Sequence, residues 1–127
     1  LTGAFQDIFF LTTYEKIPKF ISLIEPSINK DFGIYIQPIN QGTSYHLEFD
    51  IYHDPKEIKE HSTVKKKIME IITQLLDNGA FFSRPYGLWA KDVFYHHSIV
   101  SIETLKKVKE IFDPNHVLNP GVLCFDD

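Results

Sequence analysis

The sequence predicts an α+β fold of the ferredoxin-like kind: a βαββαβ antiparallel sheet with two helices on one face, plus C-terminal helices. Three observations predict it. Residues 33–39 and 43–52 alternate in a strand pattern around the turn-forming Asn40-Gln41-Gly42-Thr43, as a hairpin covered on one face does. Residues 17–24 and 64–75 carry apolar side chains at helical spacing, the stripe of a helix packed on a sheet. The order strand, helix, strand, strand, helix, strand is that of the split βαβ unit, whose second sheet face stays open.

Each element has its own warrant. Residues 6–11 are aromatic and aliphatic without helical spacing and read as a short buried strand. Thr12 or Thr13 can cap the helix that follows. Pro18 falls in its tolerated first turn, Ile17, Phe20, Ile21 and Ile24 form one face, and Pro26 ends it. In the second hairpin strand Tyr45, Leu47, Phe49 and Ile51 point one way, and Ser44, His46, Glu48, Asp50 and Tyr52 the other. Asp54-Pro55 opens a connection to a long helix with Val64, Ile68, Ile71, Ile72 and Leu75 as its stripe, closed by Asn78-Gly79. Residues 80–83 read as a short fourth strand. Helices over residues 88–96 and 101–112 complete the chain, the latter with Ile102, Leu105, Val108, Ile111 and Phe112 as its buried stripe.

Size and charge narrow the function. With 127 residues the chain is one domain, able to fold around a single core without crosslinks, and its lone Cys124 excludes an internal disulfide. A net charge of −4 gives no electrostatic footprint for nucleic acid, and Lys65-Lys66-Lys67 reads as a solvated helix face. No apolar run approaches the ~20 residues of a membrane span and no secretory leader opens the sequence, so a cytoplasmic location is expected. The chain starts at Leu1 without methionine, which suggests a piece of a longer protein. No His-x-x-x-His or paired cysteine is present, and the adjacent His96 and His97 do not share a helix face, so no metal site is expected.

Pairing across a four-residue loop sets Ile39 against Ser44, Gln37 against His46 and Tyr35 against Glu48. Tyr35, Gln37, His46, Glu48, Asp50 and Tyr52 then share the face that the helices leave bare. Phenols, an imidazole and carboxylates are groups that orient ligands and move protons, and bare tyrosine rings suit a surface that a partner closes. Glycines stand singly at turns, Gly33, Gly42, Gly79 and Gly87, without a phosphate cradle.

The tail Phe112-Asp113-Pro114-Asn115-His116-Val117-Leu118-Asn119-Pro120-Gly121 cannot remain helical, because each proline steers the residue before it toward extended geometry. Together with the stretch from Gly79 to Ala90 it resembles the carboxyl-terminal part of FAD-linked oxidases, of the glycolate oxidase flavoprotein subunit, vanillyl-alcohol oxidase and para-cresol methylhydroxylase type. Those enzymes close on a helix, Phe-Asp-Pro, a short apolar pair and Asn-Pro-Gly or Ala-Pro-Gly. The resemblance implies that residues 1–127 are the cap, or substrate, domain of such an enzyme. FAD would be held by an FAD-binding domain of the same protein, and the substrate would be a small molecule, either a 2-hydroxy acid or a 4-substituted phenol. It implies that Arg84 binds the substrate anion, as Phe82-Ser83-Arg84 aligns with an aromatic followed by arginine, although Ser83 stands where some phenol oxidases have tyrosine. Tyr86 is the candidate to supply that hydroxyl. His46 would accept the substrate proton with Glu48 orienting it, Tyr35 and Gln37 would position the substrate, and Asn119 would face the flavin. The rival expectation is a non-catalytic ferredoxin-like module binding a ligand or a protein on its open sheet.

Overall fold

The computed structural model describes residues 3–28, 31–54 and 56–125. The chain divides into two compact units, residues 1–83 and 84–127. In the first, β1 (Ala4–Thr12), β2 (Phe32–Ile39) and β3 (Ser44–His53) form an antiparallel sheet in the order β1-β3-β2. β3 is the central strand: Ala4 pairs with His53 and Thr12 with Tyr45 on one side, and Phe32 with Ile51 and Ile39 with Ser44 on the other. The hairpin register is therefore the one that the loop length dictates. Asn40, Gln41 and Gly42 turn the chain with φ of 48°, 58° and 82°, left-handed backbone that asparagine and glycine tolerate best.

The fourth strand is reduced to a single bridge. Leu11 and Phe81 exchange backbone hydrogen bonds of 2.8 and 3.1 Å, which places residue 81 beside β1, and the chain then bends at Ser83 and Arg84. Pro85 ends any longer pairing, since it has no donor to give.

Helices α1 (Ile17–Ile24) and α2 (Ile58–Asp77) bury the apolar side of this sheet. Ile8, Phe10, Leu47, Phe49 and Ile51 of the strands, Phe20 and Ile24 of α1, and Ile68, Ile71, Ile72 and Leu75 of α2 are all buried and form the core. Phe10 is its hub, with ring centroids 4.8 Å from Phe20, 6.2 Å from Phe49 and 5.6 Å from Phe82. The covered zone lies over β1 and β3, because on β2 the same-side Ile34 and Ile36 remain exposed. Thr13 starts a one-turn 3₁₀ segment ahead of α1, yet its side chain makes no capping bond, so the expected threonine cap is only a backbone turn. Pro26 ends α1 through a second 3₁₀ turn, and Gly79 follows α2 at φ 80°. Pro55 lies outside the described residues. Gly33, expected at a turn, sits inside β2.

The second unit holds α3 (Ala90–His97) and α4 (Ile99–Phe112), separated at Ser98, whose Oγ accepts from the Ser101 amide and caps α4. The expected buried stripe of α4 is corrected by the structure. Ile102 is buried, but Leu105 and Val108 are half-exposed, and Ile111 and Phe112 are 73% and 78% exposed. Periodicity identifies a face meant for cover without naming the cover. Among the described residues no helix is long and apolar enough to cross a membrane.

Candidate functional site

The open sheet face gathers all six residues that the sequence assigned to it, Tyr35, Gln37, His46, Glu48, Asp50 and Tyr52. On β3, His46 and Glu48 are successive side chains of that face, and their imidazole Nε2 and carboxylate Oε2 lie 2.9 Å apart. Both side chains are largely shielded, at 23% and 25% exposure. Tyr35 and Gln37 come from β2, opposite Glu48 and His46. The His46 ring lies between two aromatics: Phe9 of β1 stacks on it with centroids 5.5 Å apart and planes 24° from parallel, and Tyr35 meets it edge-on at 5.9 Å. Two rings and a carboxylate thus hold one imidazole on a flat sheet, the kind of immobilisation that proton transfer requires.

Further along β3 the face turns acidic. Asp50 stands opposite Asp7 of β1, with Glu48 on its own strand. Burial first, then the charges of Glu48 and Asp7 and a hydrogen bond with Glu48, push the Asp50 carboxyl above the usual carboxylate range. Opposite it on β2 is Gly33, where an added Cβ would lie 2.8 Å from the Tyr52 hydroxyl and 2.9 Å from Asp50 Oδ2. The missing side chain leaves both groups room to lie over the sheet. Tyr52 in turn meets Phe5 edge-on at 6.4 Å.

Phe9 and Asp7 are site residues that sequence reasoning did not select. Alternation along residues 4–12 sorts Phe5, Asp7, Phe9 and Leu11 onto one face, but which face depends on the long-range register of β1 with β3. A single acidic residue among the three apolar ones of that face was the available signal.

Arg84 and Tyr86 belong to the second unit. Arg84 is exposed on the bend after Ser83, and Tyr86 packs edge-on against Trp89 with centroids 4.4 Å apart. Asn119 is exposed, has φ 48°, and borders a groove of about 280 Å³ together with Leu105, Val108, Phe112, Leu118 and Val122.

The segment leading to Asn119 is firmly attached. Asp113, 4% exposed, takes the Lys109 ammonium at 2.6 Å and the amides of Val117 and Leu118 at 2.9 and 3.0 Å. Lys109 also donates to the Leu118 carbonyl at 2.7 Å and sits 5.2 Å over the Phe125 ring. The Lys109 hydrogen bond first, with the two amides, holds the Asp113 carboxyl below its usual range against the cost of burial. The tail leaves the helix as expected, with Asp113 at φ −142°, but Asn119 before Pro120 is left-handed at φ 48° rather than extended, and one carboxylate staples the segment to α4. Asp-Pro therefore supplies an anchor as well as a helix stop.

The residues fit the cover of a flat ring system better than the cradle of a dinucleotide. The sheet offers bare aromatic rings and polar groups, and the described glycines with left-handed φ are 42, 79, 87 and 121, each alone. Among the described residues no group of three histidine, cysteine or acidic side chains is placed to hold a metal ion.

No curated protein sequence matches the chain. A solved structure with the same fold is that of 4-ethylphenol oxidase from Gulosibacter chungangensis in complex with isoeugenol. The two superpose with a TM-score of 0.74 at 15% identity, over 94% of this chain and 24% of that one. The chain thus spans about a quarter of that oxidase's length. The family described as FAD linked oxidases, C-terminal domain, matches residues 14–123, and the chain belongs to that family.

Proposed function

We propose that the chain is the cap domain of an FAD-dependent oxidoreductase, whose FAD-binding domain is part of the same protein and whose open sheet face covers a small substrate on the flavin. When bound, the flavin supplies the hydride acceptor. The residues of this chain do the rest. His46 takes the proton of the substrate hydroxyl, Glu48 stabilises the resulting imidazolium, and Tyr35 and Gln37 orient the substrate from β2. With the Nε2–H donated to Glu48, the lone pair at Nδ1 is the basic site. Arg84 holds the substrate anion, Tyr86 supplies a hydroxyl beside it, and Asn119 faces the flavin.

The observation that carries the reading is the 2.9 Å His46–Glu48 bond on a bare pleat, clasped by Phe9 and Tyr35. Between the two substrate classes, the face favours a 4-substituted phenol over a 2-hydroxy acid. Asp7 and Glu48 give it negative charge, which repels a carboxylate, while the rings of Phe5, Phe9, Tyr35 and Tyr52 match an aromatic body. The phenolic substrate of the superposed oxidase supports the same choice.

Turnover of the full-length flavoprotein with His46→Ala and with Arg84→Ala tests the roles. A placed general base contributes about 10²–10⁴-fold in rate, so His46→Ala loses two orders of magnitude or more in kcat, and Arg84→Ala raises KM. Near-normal constants in both variants remove the two residues from the mechanism.

A further inference from the structure

Asp50 has no role in the reaction as described, yet it is built into the same row. It lies two residues beyond Glu48 and four beyond His46, so strand alternation brings all three to the open face. Its Oδ1 is buried and has no hydrogen-bond partner, while Oδ2 occupies the space left above Gly33. The charged groups facing it are Asp7 across β1 and Glu48 on its own strand; Tyr52 and, beyond Glu48, Tyr35 and His46 are the other titratable groups of the face. Glu48, two residues back on the same face, is among the groups that raise the proton affinity of Asp50. Two carboxyl groups so placed can hydrogen-bond only when one of them carries a proton.

We propose that Asp50 is a positioning residue that keeps its proton and donates it to Glu48, so that Glu48 stays ionised and aimed at His46. The inference rests on the reading of His46 as the base. Placement decides which carboxyl is neutral. Charge on Asp50 would leave a buried oxygen unanswered between two acidic neighbours, whereas charge on Glu48 is met by the imidazole. The raised proton affinity of Asp50 has the same origin. During turnover the substrate proton moves to His46 and the Asp50 proton stays where it is.

The test is the pH profile of kcat/KM for the full-length flavoprotein, whose acid limb reports protonation of the base. Asp50→Asn still donates a hydrogen bond but cannot ionise, and Asp50→Ala does neither. The proposal expects the Asn profile to superimpose on that of the parent. The Ala profile moves its acid limb to higher pH, because Glu48 without its donor presents more charge to His46. If both limbs move together to lower pH, Asp50 is an ionised carboxylate and the proposal fails; if neither moves, Asp50 is a bystander and it fails equally. Asp50→Val, suited to a strand, replaces Ala should that variant not fold. His46→Ala separates the two levels: normal turnover there removes the base itself, while a dead His46→Ala beside unmoved Asp50 profiles removes only the positioning role.

Discussion

The sheet face of the first unit and the α4 face of the second are both uncovered, and they are uncovered in opposite ways. The sheet face pairs His46 with Glu48 between aromatic rings and leaves Asp50 Oδ1 buried without a partner. The α4 face puts its polar economy into one buried carboxylate, Asp113, and leaves Ile111, Phe112 and Val117 bare at 72–78% exposure. The sheet face, proposed as the reacting one, keeps His46 and Glu48 paired and its rings available. The α4 face holds the following backbone through Asp113 and leaves its apolar side chains exposed. The difference teaches that exposure alone does not sort the two; the hydrogen bonds beneath it do.

The largest perturbation of this contrast is removal of the platform. Phe10→Ala empties the hub under β1 and β3 and costs about 3–5 kcal/mol, the range for a buried phenylalanine, read from denaturant midpoints. The His46–Glu48 row is lost with the sheet. A variant with near-parent stability would mean that the Phe10 cluster does not hold the platform.

Gly33→Ala is milder and acts on the open face alone. Its methyl collides with the Tyr52 hydroxyl and Asp50 Oδ2, which must rotate away. Overpacking of this kind costs about 1–3 kcal/mol, less where the flexible ends yield. The sharper signature is a change in the Tyr52 ring resonances with α2 unaffected.

Asp113→Ala perturbs the other region. The Val117 and Leu118 amides lose their acceptor, so hydrogen exchange there accelerates at least tenfold while the middle of α4 keeps its protection. Acid does the same to the parent protein. A carboxyl held below its usual range contributes its full stability above the ordinary carboxylate pKa and loses it as pH falls through the lowered value, so the tail releases before the core. Asp50 has the opposite sign. Its raised proton affinity contributes in full below the ordinary carboxylate pKa and is lost as pH rises through the raised value, so Asp50→Asn gains stability over the parent toward neutral pH. Unfolding midpoints across pH 3–7 separate the two carboxyls.

Ile111→Ser is the smallest change. An exposed position stays within about 0.5 kcal/mol of the parent in this domain. If a neighbouring domain covers α4 in the full-length protein, the same substitution lowers the thermal midpoint of the whole against an unchanged domain; equal midpoints mean that Ile111 is not covered.

Much of the fold was legible because its periods are local. The hairpin register followed from four loop residues and a constant index sum, and the open-face positions of Tyr35, Gln37, His46 and Glu48 followed from the register. The roles of Phe9 and Asp7 were not legible, since the pairing of β1 with β3 joins residues some forty apart and no local pattern encodes it. The α4 stripe misled for a related reason: an amphipathic helix declares a face, and the burial of Leu105, Ile111 and Phe112 depends on a neighbour that the sequence does not specify. Asp113 was read as half of a helix-stopping Asp-Pro pair. Its staple became visible only when Lys109, Val117 and Leu118 converged on it.

The most direct measurement is an experimental structure of the full-length flavoprotein with a substrate analogue bound. The account expects the β1-β3-β2 sheet to turn its open face to the flavin, with His46 Nδ1 at hydrogen-bond distance from the analogue's hydroxyl and Asp50 on the far side of Glu48. A structure in which that face looks onto bulk water, with the analogue held elsewhere, would contradict it.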